Sequence, residues 1–169
     1  MSRLTHDFGP FFDEDSEILI LGSFPSVKSR EQQFYYGHPQ NRFWKLLAVL
    51  FCDECPTTID EKRVFLKRNH IALWDVIESC EITGSSDSSI RNAIVNDLEK
   101  VIPNTKIDRI LINGGLAYRL FEKHMAEQAA SLGIPEESCF KMPSTSPANA
   151  AYSLERLAEC WRVALPDVR

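Results

Sequence analysis

The chain has 169 residues, of which 44% are hydrophobic and 25% are charged, and its net charge is −5. This balance is typical of one globular domain with a hydrophobic core, which we expect to span residues 1–169. The acidic charge argues against a protein that coats nucleic acid non-specifically. No apolar run approaches the roughly 20 residues of a membrane span, and no secretory signal pattern opens the chain, so we expect a cytoplasmic protein.

Short apolar runs that stop at glycine or polar residues predict the strands, which lie at 16–22, 70–76, 109–115 and 139–143. Helical periodicity or composition predicts helices at 43–51, 61–69, 92–102, 117–131 and 149–165. Residues 27–40 follow neither pattern and are predicted to form a long irregular loop. The alternation of strands and helices favours the α/β class, a three-layer αβα sandwich with a central, mainly parallel four-stranded sheet.

Polar or aromatic residues follow each predicted strand: Ser23 and Phe24, Asp75, Asn113, and residues 144–146. Open parallel sheets bind ligands beyond the carboxyl ends of their strands, so these residues should converge on one crevice. The predicted loop 27–40 leaves from the first of these ends and should lie over the same crevice.

Residues 35–44, YYGHPQNRFW, combine aromatic rings with a histidine, a carboxamide and a guanidinium. This combination suits a pocket that holds a flat, polar ring. Tyr36 either stacks on such a ring or pins the loop to the domain, and His38 is either a polar wall or part of a rigid turn. Asn41 precedes a predicted helix, so the pattern alone favours a helix N-cap over a carboxamide that positions water.

Three further features have two interpretations each. Asp75 is either an acceptor for the edge of a base or a helix cap. The hydroxyls of residues 144–149, STSPAN, and the free N–H groups of a following helix can hold a phosphate, or Ser146 or Asn149 caps that helix. Cys52 and Cys55 form a C-x-x-C pair without a second pair at metal-ligand spacing, so we expect ordinary thiols, no metal and no cofactor.

Several of these segments together resemble the uracil-DNA glycosylase superfamily over about residues 16–165. GSFPS at 22–26 resembles its first motif, and STSPANA at 144–150 resembles its second, a loop that enters the minor groove. YGHPQNRFWK at 36–45 is similar to the mismatch-specific branch. LWDV at 73–76, GSSDS at 84–88 and Asn113-Gly114 match the hypoxanthine-DNA glycosylase branch.

The resemblance implies a DNA repair glycosylase that flips a deaminated base out of DNA and hydrolyses its N-glycosidic bond. No lysine at the mouth of the site is an obvious Schiff-base candidate, so we expect a monofunctional enzyme, and we expect a monomer. Hypoxanthine is the first candidate base, with uracil and xanthine as alternatives. The implied partner is DNA that contains a deaminated base, and no membrane is involved. The alternative is a non-catalytic protein of the same fold that binds damaged or mismatched DNA.

The resemblance also implies roles for individual residues. Phe24 stands where other branches carry asparagine or aspartate, which leaves Asn41 as the implied catalytic residue and also motivates the non-catalytic alternative. The implied base-binding residues are Ser23, Phe24, Tyr36, His38 and Asp75. The implied DNA-binding residues are Ser144, Ser146, Pro147, Ala148 and Asn149.

Overall fold

Strands alternate with helices over most of the chain in the computed structural model, which describes residues 3–83 and 89–166. The strands are β1 (Arg3–Thr5), β2 (Ile18–Gly22), β3 (Ile71–Asp75), β4 (Ile77–Glu81), β5 (Arg91–Val95), β6 (Arg109–Asn113) and β7 (Cys139–Met142). The α-helices are α1 (Val27–Gln32), α2 (Phe43–Leu50), α3 (Ile59–Arg68), α4 (Gly115–His124), α5 (Ala126–Ser131) and α6 (Leu154–Arg162). Short 3₁₀ turns lie at Leu98–Lys100 and Glu136–Ser138.

The central sheet has four parallel strands in the order β3-β2-β6-β7. All residues of β2 and β3 are buried, as expected for strands covered by helices on both faces. The register places Gly22 opposite Asp75 at one end of the β2–β3 pair. The parallel sheet with flanking helices confirms the predicted sandwich.

The helices cover the sheet through apolar stripes. Helix α3 packs on β3, α4 packs on β6 and β7, and α2 contacts α6. Trp161 of α6 is fully buried and donates a hydrogen bond from Nε1 to the carbonyl of Pro143, at 3.0 Å. This bond ties α6 to the segment that follows β7. None of the helices in the described ranges is long and apolar enough to cross a membrane.

A second sheet, absent from the sequence prediction, contains three antiparallel strands in the order β1-β4-β5. It joins the central sheet at Val76, because β4 begins directly after β3. The N-terminal segment crosses the same junction. The backbone N–H of His6 donates to the Glu78 carbonyl at 2.7 Å, and the backbone of Phe11 pairs with that of Leu73 in β3. Residues near the N-terminus therefore lie beside the end of β3.

Four predicted elements differ from the structure, and the first three lie between residues 27 and 131. Residues 27–40 are not all loop, because Ser26 caps α1 by accepting a hydrogen bond from the N–H of Ser29. The predicted helix 92–102 is instead β5 followed by a 3₁₀ turn, since pairing with β4 outweighs local helix propensity. The predicted helix 117–131 is divided into α4 and α5 at Met125.

The predicted last helix, 149–165, begins only at Leu154, where Ser153 is the N-cap. Residues 144–152 form a loop instead, so neither Ser146 nor Asn149 caps this helix. The motif GSSDS at 84–88 lies outside the described residues.

Candidate functional site

A cavity of about 740 Å³ opens at the carboxyl ends of the parallel strands. Its volume falls within the range of about 300–1,000 Å³ that is usual for small-molecule sites. Each residue predicted for the site lines this cavity: Ser23, Phe24, Tyr36, His38, Asn41, Asp75, Ser144, Ser146, Pro147, Ala148 and Asn149. The convergence expected from the parallel topology is therefore present.

The floor of the cavity requires glycine at position 22. A Cβ atom on Gly22 would lie 2.5 Å from Asp75 Oδ1 and 2.9 Å from the Tyr36 hydroxyl oxygen. Both distances are shorter than a carbon–oxygen contact allows. The absence of a side chain at the end of β2 therefore lets both the carboxylate and the phenol approach the backbone at the floor.

Tyr36 provides the aromatic wall of the cavity. Its ring stacks on Phe43 of α2 with centroids 3.8 Å apart and an interplanar angle of 16°. Its backbone has φ of 55°, the left-handed region that a bulky residue rarely adopts, and its carbonyl accepts a hydrogen bond from Trp44 Nε1 at 3.2 Å. Its neighbours Phe34 and Tyr35 are buried and pin the loop, so the two interpretations of these aromatics apply to different residues.

The two tyrosine hydroxyls at the cavity are neutral. Burial is the main cause that raises the pKa of Tyr36 far above its ordinary value, and the nearby charge of Asp75 raises it further. The same two causes raise the pKa of Tyr35, whose hydroxyl donates to the Gly9 carbonyl at 3.0 Å. Neither phenol is available as a base near neutral pH.

Asn41 is not the predicted N-cap, because Arg42 holds that position in α2, but its carboxamide contacts the first residue of the helix. Its Oδ1 accepts a hydrogen bond from the N–H of Phe43 at 2.9 Å, which orients the carboxamide at the start of α2. Because an N–H can only donate, this contact identifies the oxygen and leaves the amide nitrogen on the other side. Within residues 3–83 and 89–166, no group accepts a hydrogen bond from that nitrogen.

The other two carboxamides of the cavity are held by the protein itself. Asn113 donates from Nδ2 to Thr145 Oγ1 at 3.1 Å, and its Oδ1 accepts the N–H of Thr145 at 3.1 Å. Asn149 donates from Nδ2 to the Ser144 carbonyl at 3.0 Å. Asn41 is thus the carboxamide whose amide nitrogen is available to a ligand or water.

Arg42 fastens the loop 144–152 to the start of α2. Its guanidinium donates to the carbonyls of Ser146 and Asn149, each at 2.9 Å, and to the carbonyl of Tyr152. Its backbone N–H also donates to the Thr145 carbonyl at 3.1 Å. The carbonyls of Ser146 and Asn149 also accept backbone N–H groups three residues later, as in turns, and α6 begins only after the N-cap Ser153.

The loop 144–149 is braced by its own hydroxyls. Ser144 Oγ accepts the N–H of Ser146 at 3.1 Å, and Ser146 Oγ accepts the N–H of Ala148 at 3.2 Å. Each hydroxyl keeps its O–H for an external acceptor such as a phosphate oxygen. A phosphate site at a helix N-terminus, the other sequence expectation, is wrong here because α6 starts at Leu154.

Asp75 is not a helix cap, since it is followed by β4. Its Oδ2 lies 2.8 Å from Nε2 of His6, and both side chains are buried. Phe24 is partly buried against a small apolar cluster that includes Ile77, and its ring meets that of His6 edge-on. Phe24 therefore contributes no polar side-chain atom to the cavity.

Two remaining features concern His38 and metal binding. Nδ1 of His38 accepts the N–H of Gln40 at 3.1 Å, as in the rigid turn predicted for this segment, and the ring also lines the cavity. Within the described parts of the chain, no group of three or more His, Cys, Asp or Glu side chains could hold a metal ion. Cys52 and Cys55 are exposed thiols.

Sequence reasoning missed His6, Thr145 and the clamp made by Arg42. Thr145 is fully buried and connects Asn113 to Arg42, although its motif suggested only a polar loop. His6 is distant from the other site residues in sequence, and no local pattern indicates its contact with Asp75. Only the Arg42 clamp had a signal in the sequence, namely a single arginine within the motif 35–44.

Comparison with known proteins identifies related chains. The profile of the Uracil DNA glycosylase superfamily matches residues 10–165. A hypoxanthine DNA glycosylase from Methanosarcina acetivorans is 35% identical over 158 residues, covering 90% of this chain and 92% of the relative. One from Methanosarcina barkeri is 40% identical over 111 residues, covering 63% and 69%. The solution NMR structure of a proposed uracil DNA glycosylase from Methanosarcina acetivorans has a TM-score of 0.76 at 34% identity, with 92% of each chain covered.

The glycine floor leads to a stability prediction. Gly22→Ala should lower the free energy of unfolding by about 1–3 kcal/mol, because the added methyl overlaps side-chain oxygens of Asp75 and Tyr36. Contacts with His6 and Phe43 hold these two side chains in place. Gly115→Ala is the matched control, since its Cβ would meet no atom within 4 Å. It should be neutral or stabilising by up to about 1 kcal/mol. Chemical denaturation measures both; equal stability of Gly22→Ala and the wild type would contradict the close approach.

The Arg42 clamp leads to a prediction about local order. Arg42→Met removes the donors and should reduce the free energy of unfolding by about 2 kcal/mol, while the amides of 144–152 exchange hydrogen faster. Lys45→Met, which removes an exposed cation on the next turn of the same segment, is the control and should leave both unchanged. Hydrogen exchange followed by mass spectrometry distinguishes them; the same exchange rates in both variants would rule out the clamp.

Proposed function

The chain belongs to the uracil DNA glycosylase superfamily and is a DNA glycosylase, and we propose that it excises hypoxanthine from DNA. Uracil and xanthine are further candidate bases. The observation that carries the proposal is the cavity in which Asn41 keeps its amide nitrogen available beside the ring of Tyr36. The names of the two Methanosarcina relatives support hypoxanthine as the first substrate to test.

The cavity can receive a base that has left the DNA stack. Enzymes that act on a base within a duplex flip the nucleotide into a pocket and hold the base between side chains. Tyr36 offers a ring braced from behind by Phe43, so a base can stack on it without displacing the wall. We assign Ser23, Phe24, His38 and Asp75 to the remaining walls of the base pocket.

The reaction needs a positioned water more than a strong nucleophile. The bond between C1′ of the sugar and the base nitrogen breaks, and its electron pair leaves with the base. Water donates an electron pair to C1′, and its proton passes to solvent or to the departing base. The products are the free base and an abasic sugar. Orientation and electrostatic stabilisation of the separating charges supply the rate.

Asn41 is the residue that we assign to the water. A carboxamide donates and accepts hydrogen bonds but cannot take a proton at neutral pH, so its role is orientation. The hydrogen bond from Phe43 fixes the plane of the group, which keeps its amide nitrogen in one direction. Phe24 contributes no competing polar side-chain atom at its position, and Asn113 and Asn149 are already engaged.

The loop 144–149 is the segment that we assign to DNA contact. Ser144 and Ser146 have O–H groups for phosphate oxygens, and Pro147 and Ala148 are small apolar residues beside them. Arg42, the residue that follows Asn41, holds this loop through its guanidinium. Contact with the DNA backbone and placement of the water are therefore coupled through one side chain.

Substitution of Asn41 tests the assignment. The wild type should release hypoxanthine from an oligonucleotide that contains deoxyinosine, and the same assay should be run with deoxyuridine and deoxyxanthosine. Asn41→Ser keeps an oxygen for the N–H of Phe43 but removes the amide. It should therefore stay within about 0.5 kcal/mol of wild-type stability and lose about 100-fold or more in rate.

Asn41→Ala is the companion variant, which should lose the same activity and about 1 kcal/mol of stability because the hydrogen bond to the Phe43 N–H is also gone. Wild-type activity in Asn41→Ser would mean that Asn41 only holds the N–H of Phe43. Lesion-specific binding by the wild type without release of any base would support the non-catalytic alternative.

The cavity predicts hydrolysis without strand cleavage. No lysine is among the described residues that line it, so no amine is placed to form a Schiff base with the sugar. Sodium borohydride should trap no covalent protein–DNA species, and strand breaks should appear only after alkali treatment of the product. A trapped species would show that the enzyme also has lyase activity.

A further inference from the structure

A buried pair formed by His6 and Asp75 lies at the junction of the two sheets, below the cavity. Nε2 of His6 and Oδ2 of Asp75 are 2.8 Å apart, and their side chains are 2% and 5% exposed. The pair joins the N-terminal segment to the end of β3. The proposed reaction above makes no use of His6.

The surroundings of His6 are aromatic rather than polar. Its ring centroid lies 4.5 Å from that of Phe8, 5.9 Å from Tyr35 and 6.2 Å from Phe24. Its Nδ1 is buried without a hydrogen-bond partner in the described part of the protein. An apolar side chain would fill this cage without leaving a ring nitrogen unpaired, which is unfavourable in a core. The polar contact that distinguishes histidine here is the one with Asp75.

The two carboxylate oxygens of Asp75 have different surroundings. Oδ2 faces His6, whereas Oδ1 is the atom nearest the position that a Gly22 Cβ would occupy, close to the Tyr36 hydroxyl. No residue in the described ranges donates a hydrogen bond to Oδ1, and Asp75 lines the cavity. Contact with His6 therefore turns the carboxylate so that an acceptor is presented at the floor.

An acceptor at this position can distinguish purines by the hydrogen-bonding group at N1. Hypoxanthine presents an N–H donor at N1 beside its carbonyl oxygen, whereas adenine presents a lone pair at N1 beside an amino group. A fixed carboxylate beside N1 accepts the N–H of hypoxanthine and is repelled by the lone pair of adenine. Xanthine and uracil carry the same lactam N–H, as do guanine and thymine, whereas adenine and cytosine have a lone pair at this ring nitrogen. The carboxylate therefore discriminates hypoxanthine from adenine and uracil from cytosine, the bases from which they arise by deamination.

We propose that Asp75 Oδ1 accepts the lactam N–H of the flipped base and that His6 is the positioning residue that orients it. This assignment rests on the proposed function, because it concerns the base that the enzyme excises. His6 does not contact the base itself; it acts through Asp75. The pair makes the N-terminal segment part of the specificity of the site.

The pair also determines what happens when the carboxylate becomes a carboxamide. In Asp75→Asn, the donor of His6 retains the oxygen, and the amide N–H groups then face the cavity. The base edge would meet a donor instead of an acceptor. The variant should therefore prefer a base with a lone pair at N1, which reverses the wild-type preference.

The test uses single-turnover rates on two oligonucleotides, one with deoxyinosine and one with 2′-deoxynebularine, a purine with a lone pair at N1 and no C6 oxygen. His6→Gln and His6→Met are a matched pair of similar length, of which only glutamine has a donor. His6→Met should lower the deoxyinosine-to-deoxynebularine rate ratio at least about tenfold, and His6→Gln should recover most of it. Asp75→Asn should favour deoxynebularine.

The outcomes separate the two proposals. No release of hypoxanthine, uracil or xanthine by the wild type overturns the proposed function. Hypoxanthine release by the wild type, with the same ratio in His6→Met and His6→Gln, overturns the role of His6. If His6→Met does not fold, the ratios of His6→Gln and Asp75→Asn decide. An equal loss on both substrates in Asp75→Asn, or a wild-type ratio in that variant, overturns the contact with the base.

Discussion

The hydrogen bonds from the Arg42 guanidinium to the loop after β7 are the interaction on which the rest of the site depends. A guanidinium has five donors in a rigid planar fork, so one side chain can hold several carbonyls that no regular structure satisfies. Thr145 accepts the backbone N–H of Arg42 and is itself tied to Asn113 at the end of β6. Three segments distant in sequence are thereby fixed around Asn41.

Within this frame, most polar groups of the cavity already have protein partners. Asn113 and Asn149 are engaged, and the Ser144 and Ser146 oxygens accept backbone N–H groups. The amide nitrogen of Asn41 and Oδ1 of Asp75 are different, because no described residue bonds to them. A site built around polar groups that only the correct ligand satisfies discriminates strongly, since a wrong ligand leaves them unpaired. Such discrimination suits an enzyme that must ignore a large excess of normal bases.

The sequence predicts the central sheet well because its strands are buried on both faces and read as continuous apolar runs, as at 18–22 and 71–75. The parallel topology then brings the residues after each strand together without further information. Prediction from the sequence fails for segments whose structure depends on contacts with distant parts of the chain or that lack an apolar pattern. Helix α1 buries only Ser29 and has no apolar period to detect, β5 depends on its pairing with β4, and the contact between His6 and Asp75 depends on how the N-terminal segment crosses between sheets.

The strained backbone of Tyr36 fits a site that is formed before DNA arrives. A bulky residue in the left-handed region costs of order 1–3 kcal/mol and persists only where its surroundings compensate. Here the compensation comes from α2, through the stack on Phe43 and the hydrogen bond from Trp44 to the Tyr36 carbonyl. The first residue of the same helix orients the carboxamide of Asn41. The proposed stacking surface and the proposed water-positioning group are thus held by one helix terminus, which suits a site that needs no further ordering step when a base enters.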